Sequence, residues 1–278
     1  MRRYDRKQIE KYTERSWLEI DLAQLRKNVE VIKRQLASDV KLAAVVKADA
    51  YGLGARVVSK AFLRAGADLL MVASLDEALE LRHSGVHADI LMLSDCETLR
   101  SDEGIRQNIL FTVSTWERAE SLSLIAQNLQ QAARIHINID TGMGRLGFTR
   151  DDKCLDILQR ISLLPGIRIE GIYTHFATAD GYSERGDAIS YHHVQLQRFL
   201  DYKSRIEAIP LDIPCYHAAN SASMVLVPES HFNLVRAGLI LYGVKSENMP
   251  NDLEIEPCFA LYTRIAHIRT LAKAESAS

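Results

Sequence analysis

The sequence predicts an α/β chain folded as a (β/α)8 barrel (a TIM barrel), and three observations carry that prediction. Short β-branched or apolar runs alternate with amphipathic stretches of helical period, which is the rhythm of a parallel sheet wrapped by helices. Eight such runs fit within about 250 residues, the usual size of one barrel of this kind. Nucleotide-binding folds lose their usual support, because no G-x-G-x-x-G follows the first strand and no G-x-x-x-x-G-K-[ST] occurs. A doubly wound open sheet is the remaining structural alternative.

Taken in order, the expected strands are residues 42–47, 69–74, 89–94, 109–114, 134–140, 170–176, 213–218 and 234–243. The helix-like segments between them include 25–36, 55–66, 74–85, 115–130 and 191–209, where apolar residues recur at helical spacing. A length of 278 residues, 47% hydrophobic and 25% charged, suits one large α/β domain, alone or with an appendage. A formal net charge of -2, with 34 basic residues spread along the chain, gives no electrostatic case for nucleic acid and points to a small-molecule partner. Cys96, Cys154, Cys215 and Cys258 lie far apart in or beside apolar runs, so reduced, buried thiols and a reducing cytoplasm are expected. No apolar run reaches the roughly 18–20 residues that span a bilayer. The opening MRRYDRKQIEKY is basic and polar; it reads equally as a tag remnant, a frayed terminus or the cytoplasmic flank of a membrane segment.

Chemistry in such a barrel collects on the rim formed by the C-terminal strand ends. There the expected strands deliver Lys47, the loop DTGMGRLG (140–147) with Arg145, His175, the segment HAANSAS (217–223), and Arg236 followed by Gly238. No comparable polar set is read at the strand starts. A half-buried amine has its charged form disfavoured and becomes competent as a nucleophile toward an aldehyde or as a general base. That is the functional reading of Lys47, against the bland one of a solvated strand end. Tyr51 and the glycines after it would let a loop approach a ligand closely. Arg145 and Arg236 each follow apolar strand residues, where a guanidinium requires an anionic or acceptor partner. His175 taken alone more often just satisfies a core hydrogen bond. Ser221 offers a hydroxyl and backbone donors to a phosphate where such barrels usually bind one, or simply caps a helix. Together these groups describe a pocket for a phosphorylated aldehyde cofactor, pyridoxal 5′-phosphate (PLP).

Six motifs, WLEIDLAQLRKNV (17–29), AVVKADAYGLGA (44–55), DTGMGRLGFT (140–149), GIYTHFATAD (171–180), HAANSAS (217–223) and VRAGLILYG (235–243), resemble in order those of the amino-terminal barrel of alanine racemases, PLP enzymes of fold type III. The resemblance runs from about residue 16 onward. It implies that Lys47 holds PLP covalently and serves as one of two bases, on the D-amino-acid face. Tyr51, Ser221 and the backbone of Gly238 and Leu239 would hold the phosphate, and Leu93 and Asn220 would also line the cofactor site. Arg236 would donate to the pyridine nitrogen; an arginine, with a pKa above ~12, leaves no proton there, so the ring is a weaker electron sink. Arg145 would lie near the cofactor's phenolic oxygen and the substrate carboxylate, and His175 would orient Arg236 and link to the second base. No metal is implied. The implied reaction interconverts L- and D-alanine, or L- and D-serine, supplying D-amino acids for peptidoglycan precursors of the cell wall. The implied assembly is a homodimer whose sites are completed by the partner subunit.

In the family the second base is a tyrosine of the partner subunit, a few residues after a segment resembling AHIRTLAKAESAS (266–278), so it is expected directly after Ser278. On this pattern residues 1–15 are an extension or linker, 16–248 the PLP-binding barrel, and 249–278 the opening strands of a truncated carboxy-terminal β-domain. Asn138 stands where many family members carry a carbamylated lysine that braces the arginine matching Arg145. An asparagine amide, with a bound anion such as chloride, is expected to position Arg145 instead. The basic opening is similar to that of membrane-tethered serine/alanine racemases linked to glycopeptide (vancomycin) resistance, so a cytoplasmic location, free or tethered to the membrane's cytoplasmic face, is expected. Two alternatives stand beside this reading. One is a single-barrel PLP-binding protein that handles cofactor without robust catalysis, whose length suits 278 residues but whose motifs differ from DTGMGRLG and VRAGLILYG. The other is a decarboxylase on the same barrel, which would place a glutamate where Arg236 stands.

Overall fold

Alternating apolar runs and capped helices resolve, in a computed structural model, into a ring of eight parallel strands covered by helices. The structure describes residues 15–95, 99–149, 152–179 and 191–274. The first half holds β1 (Ser16–Ile20), α1 (Leu22–Gln35), β2 (Lys41–Val45), α2 (Ala55–Arg64), β3 (Leu69–Val72), α3 (Leu75–His83), β4 (Asp89–Met92), α4 (Ser101–Arg106) and β5 (Leu110–Val113). The second holds α5 (Trp116–Leu129), β6 (Ala133–Asn138), α6 (Asp152–Ser162), β7 (Ile167–Tyr173), α7 (Tyr191–Glu207), β8 (Tyr216–His217), α8 (Ser221–Leu226), β9 (Leu234–Ala237) and β10 (Phe259–Thr263).

Hydrogen bonding runs β8-β7-β6-β5-β4-β3-β2-β9, parallel at every step. The ring closes where Asn233 N–H meets the Tyr216 carbonyl at 3.1 Å and Arg236 N–H meets that of Ala219 at 3.0 Å. Helix starts follow from side-chain caps: Asp21 accepts from Ala23 and Gln24, Ser74 and Glu77 form a capping box, and Thr115 accepts from Arg118.

Because strand side chains alternate, every second residue enters the barrel. Outward residues such as Leu42, Ala44, Ile90, Phe111, Ile135 and Ile172 join the helices in the main core. Inward residues divide into two halves. Ala43, Val45, Leu69, Met71 and Leu91, from β2 to β4, form an apolar cluster with Leu110 and Leu234. Thr112, His136, Tyr173, His217 and Arg236, from β5 to β9, are buried and polar.

Four features differ from the sequence reading. The segment expected as a strand over 234–243 stays extended only for Leu234–Ala237; after Gly238 it coils into a 3-10 turn, Leu239–Tyr242. Strand β8 shrinks to Tyr216–His217, since Pro214 has no N–H to give a sheet ladder. A polar set also marks the strand starts: Arg134 binds Asp89 through two bonds of 2.7 and 3.0 Å and Glu170 through two of 2.7 Å. Those charges satisfy one another and close that end of the barrel. Lastly, β1, grouped on sequence with the barrel, pairs antiparallel with β10 in a separate sheet, with Trp17 stacked on Tyr262 at 5.4 Å. Leu261, Ile265 and Ile268 on this side are exposed. Cys154 and Cys258 are buried and Cys215 is half-buried, while Cys96 and residues 1–14, with the opening basic stretch, lie outside the described residues. No helix among the described residues is long and apolar enough to cross a membrane.

Gly243 joins the barrel to the segment leading to β10. It has φ +90°, and a Cβ there would sit 2.0 Å from the Glu256 carbonyl oxygen. We expect Gly243→Ala to lower unfolding free energy by roughly 2–4 kcal/mol, measured by urea denaturation; a loss within experimental error would show that this joint is not fixed by backbone contact.

Candidate active site

Lys47 lies two residues beyond β2 and starts one turn of left-handed helix, in which Ala48, Asp49, Ala50 and Tyr51 have φ of 51–57°. The chain leaves through Gly52 and Gly54, at φ 84° and 86°. For L-residues each such position costs on the order of 1–2 kcal/mol, so the surroundings must over-determine the path. They do so with hydrogen bonds. Ala50 N–H reaches the Val46 carbonyl at 2.9 Å and Gly54 N–H that of Asp49 at 3.0 Å. Ala48 N–H meets Glu77 Oε1 and Ala55 N–H meets Asp49 Oδ1, each at 2.6 Å. The turn leaves Lys47 half-buried and sets the Tyr51 ring edge-on against Tyr242, which is itself tied to the Val45 carbonyl at 2.9 Å.

Opposite this turn stands Gly238. Its N–H donates to Ser221 Oγ at 2.9 Å, and a Cβ at Gly238 would lie 2.7 Å from the Tyr51 hydroxyl. Tyr51, Ser221 and Gly238 therefore form a cradle with no room for a side chain. Burial raises the Tyr51 phenol above its ordinary value, so it stays a neutral donor. Leu239 opens the 3-10 turn with its side chain exposed. Asn220, expected at the cofactor, is the cap of α8: its Oδ1 accepts from Ala222 and Ser223, both at 3.1 Å. Ser221 is the first residue of that helix and not its cap. Leu93 is half-buried and packs against the apolar half of the barrel interior.

Arg236 is 3% exposed and has no carboxylate partner among the described residues. Its Nη2 donates to the carbonyls of Thr174 at 2.8 Å and Ala218 at 2.9 Å, and lies 3.3 Å from His175 Nδ1. Its Nη1 lies 3.0 Å from His217 Nδ1, and His217 Nε2 is 2.9 Å from His136 Nδ1. The guanidinium is pushed down to about 10 by burial, so it remains charged at neutral pH. Burial, and then the positive charges of Arg236, Arg145 and Lys47, push His175 down to about 3. His136 is pushed down to about 4 by burial, and His217 falls well below the ordinary imidazole value for the same reason, helped by Arg236. All three imidazoles are neutral. Arg236 can thus donate to His175 Nδ1 and His217 Nδ1, which leaves the Nε2 hydrogen of His217 for His136.

The loop after β6 brings Arg145 to the same rim. Asp140 accepts from Gly142 at 2.8 Å and from Gly144 at 3.0 and 3.1 Å, and Phe148 N–H returns to the Asn138 carbonyl at 2.8 Å. Arg145 is exposed and shares a cleft with Asp140, Thr174 and His175. Asn138 is buried, and its amide donates to the Leu146 carbonyl at 3.2 Å, bracing the backbone beside Arg145 and not the guanidinium itself.

Of the expected residues, Lys47, Tyr51, Ser221, Gly238, Arg236, His175 and Arg145 face one rim, while Asn220 supports it from behind. His217, which enters the sequence pattern only as the first residue of HAANSAS, and His136 are given no role by sequence, although inward placement of a histidine on an otherwise apolar strand is the available signal. The donor set fits PLP. A side-chain-free cradle of hydroxyls and amides suits a phosphate, the half-buried amine of Lys47 suits an aldehyde, and the unpaired cation of Arg236 suits a neutral ring nitrogen.

Residues 20–246 match the model of the alanine racemase N-terminal domain. An alanine racemase of Desulforamulus reducens is 38% identical over 255 residues, covering 91% of this chain and 68% of its own length. One of Clostridium tetani is 39% identical over 259 residues, covering 92% and 65%. Among solved structures, an alanine racemase of Clostridium difficile in complex with cycloserine superposes with a TM-score of 0.88 at 35% identity, covering 93% of this chain and 70% of that one. One from Bacillus anthracis with bound L-Ala-P gives 0.85 at 34% identity, covering 96% and 68%. The chain spans about two thirds of the length of the curated relatives it matches.

The neutral histidines make stability depend on pH. Above pH ~6.5 they are neutral whether folded or not; below it the unfolded chain takes up protons there and the fold resists. For His136 this resistance lasts down to about 4, so its contribution is lost progressively as pH falls from ~6.5 toward that value. Asp95, raised to about 6 by burial, acts in the opposite sense over part of the same window. The difference between proteins is therefore the quantity to read. His136→Gln is expected to flatten the fall in unfolding free energy between pH 6.5 and 4 by up to ~1.4 kcal/mol per pH unit. Parallel curves for wild type and variant would show that His136 titrates normally.

Proposed function

The chain belongs to the alanine racemase family through its amino-terminal domain, and from that premise we propose that it serves the PLP-dependent interconversion of L- and D-alanine. The observation that carries this reading is the placement of Lys47, Arg236 and the Tyr51–Ser221–Gly238 cradle on one rim of the barrel.

In this reading Lys47 Nζ holds the cofactor's aldehyde carbon, and Tyr51, Ser221 and the amides of Gly238 and Leu239 hold its phosphate. Arg236 donates to the pyridine nitrogen. Leu93 offers an apolar side to the ring, and Asn220 acts by capping the helix that presents Ser221. PLP supplies an electron-withdrawing ring that acidifies the α-proton of a bound amino acid. Once the substrate's amino group has taken its place on the aldehyde carbon, the freed Lys47 Nζ would take and return that proton on one face of the α-carbon. Arg236 would hold its proton at working pH, and so would keep the electron withdrawal supplied by the ring moderate. Neutral His175 accepts from Arg236 at Nδ1, leaving an Nε2 hydrogen with which to hold a second proton carrier. Arg145 binds the substrate carboxylate.

The second carrier, on the opposite face, is proposed to be a tyrosine of a partner subunit, which makes the working form a homodimer. Alanine is the substrate we assign; serine differs by one hydroxyl, which an apolar pocket rejects only weakly, so both are expected to react. The product D-amino acid would feed peptidoglycan precursors, and the thiols fit a reducing cytoplasm. Residues 16–248 are proposed as the PLP-binding unit, with 249–278 opening a β-domain. A cofactor carrier without catalysis is less favoured, because it has no use for Arg145 beside His175.

Incubation with PLP, borohydride reduction and peptide mapping test this directly. The expected adduct lies on Lys47 and vanishes in Lys47→Ala; an adduct spread over other lysines, or none, would sink the proposal. Gly238→Ala should weaken PLP binding about tenfold or more, as a methyl fills the cradle, while leaving the melting temperature close to wild type. Unchanged affinity in fluorescence titration would remove the phosphate from that place.

A further inference from the structure

We propose that Glu77 is a positioning residue for Lys47, an inference that rests on reading Lys47 as the group that holds the cofactor. Glu77 sits in the first turn of α3, on the neighbouring βα unit, and its two carboxylate oxygens serve different masters. Oε2 accepts from Ala73 N–H at 2.7 Å and Ser74 N–H at 3.4 Å, while Ser74 Oγ accepts from Glu77 N–H at 3.3 Å. That set completes the cap of α3. Oε1 is left over from the cap and crosses to Ala48 N–H at 2.6 Å.

The Ala48 amide belongs to the peptide unit that begins at the Lys47 carbonyl carbon. Fixing it fixes the backbone rotation that aims the Lys47 side chain, at the step where the chain turns into the left-handed path. Among the described residues no backbone carbonyl serves this N–H, whereas Ala50 and Gly54 farther along have carbonyl partners at 2.9 and 3.0 Å. Only an acceptor from outside the turn can hold it. A carboxylate suits the task because it accepts at both ends and forms short, charge-assisted bonds. Glutamine would keep one acceptor oxygen and turn an NH2 group toward a backbone N–H. The capping of a helix on one βα unit is thereby made into the alignment of the reactive amine on the unit before it.

The matched variants are Glu77→Gln, which disturbs both bonds, and Ser74→Ala, which weakens the cap while leaving Oε1 on Ala48. Three readouts are compared: melting temperature, hydrogen exchange of the Ala48 amide, and the rate of PLP trapping on Lys47 by borohydride. With one charge-assisted bond lost, Glu77→Gln should slow Lys47 trapping about tenfold and speed Ala48 exchange. Ser74→Ala should lower the melting temperature comparably and leave both Lys47 trapping and Ala48 exchange at wild-type rates. Wild-type trapping and exchange in Glu77→Gln, or equal slowing in Ser74→Ala, would overturn the proposal and return Glu77 to a capping role. If the wild type forms no Lys47 adduct, the cofactor reading fails by itself. Acylation of Lys47 by acetic anhydride, compared across the same variants, then decides Glu77 by the same pattern.

Discussion

A guanidinium sealed inside a protein, with no carboxylate partner among the described residues, is the constraint around which this barrel is arranged. A buried charge is costly unless every lone hydrogen finds an acceptor. Arg236 meets that need in part, through two carbonyls and two imidazoles instead of an anion. Because those partners must accept, the histidines beside it must stay neutral, and burial, helped by the local surplus of positive charge, keeps them so. The polarity of β6 to β9 follows from this single choice: His217 takes its orientation from Arg236, and His136 is held in turn by His217.

The other side of the rim obeys a backbone constraint. Four successive non-glycine residues in the left-handed region turn the chain sharply after β2, which brings Lys47 and Tyr51 to the same rim within one short segment. Tyr51 then comes so close to Gly238 that the step after β9 needs a residue without a side chain. Strain in one loop and a missing Cβ in another are two halves of one fit.

Much of this was legible in the sequence. All eight strands were placed because parallel strands buried on both faces show as short apolar runs, and the rim residues followed from the strand ends. What escaped the reading did so for physical reasons. Nothing in KADAYG distinguishes a left-handed turn from an ordinary one, since one of the bonds that hold that path comes from Glu77, far along the chain. The ion cluster of Asp89, Arg134 and Glu170 gathers residues from three strands whose pairing alone makes them neighbours. The pairing of β1 with β10 joins the two ends of the described chain, and neither segment carries a sign of its partner. Asn220 belongs to a motif that matches, and its amide caps the helix that presents Ser221, a role the motif does not spell out.

The barrel interior described above is two materials in one ring. Between β2 and β4 it is filled by aliphatic side chains that meet by shape alone, and a set of such residues can be exchanged for another of equal volume. Between β5 and β9 the polar inward side chains are each fixed by a named donor or acceptor, so a change at one position strands its neighbour. Descendants of this sequence should therefore drift unevenly, wandering freely along one arc of the barrel wall while the facing arc changes only through concerted replacement of several residues at once.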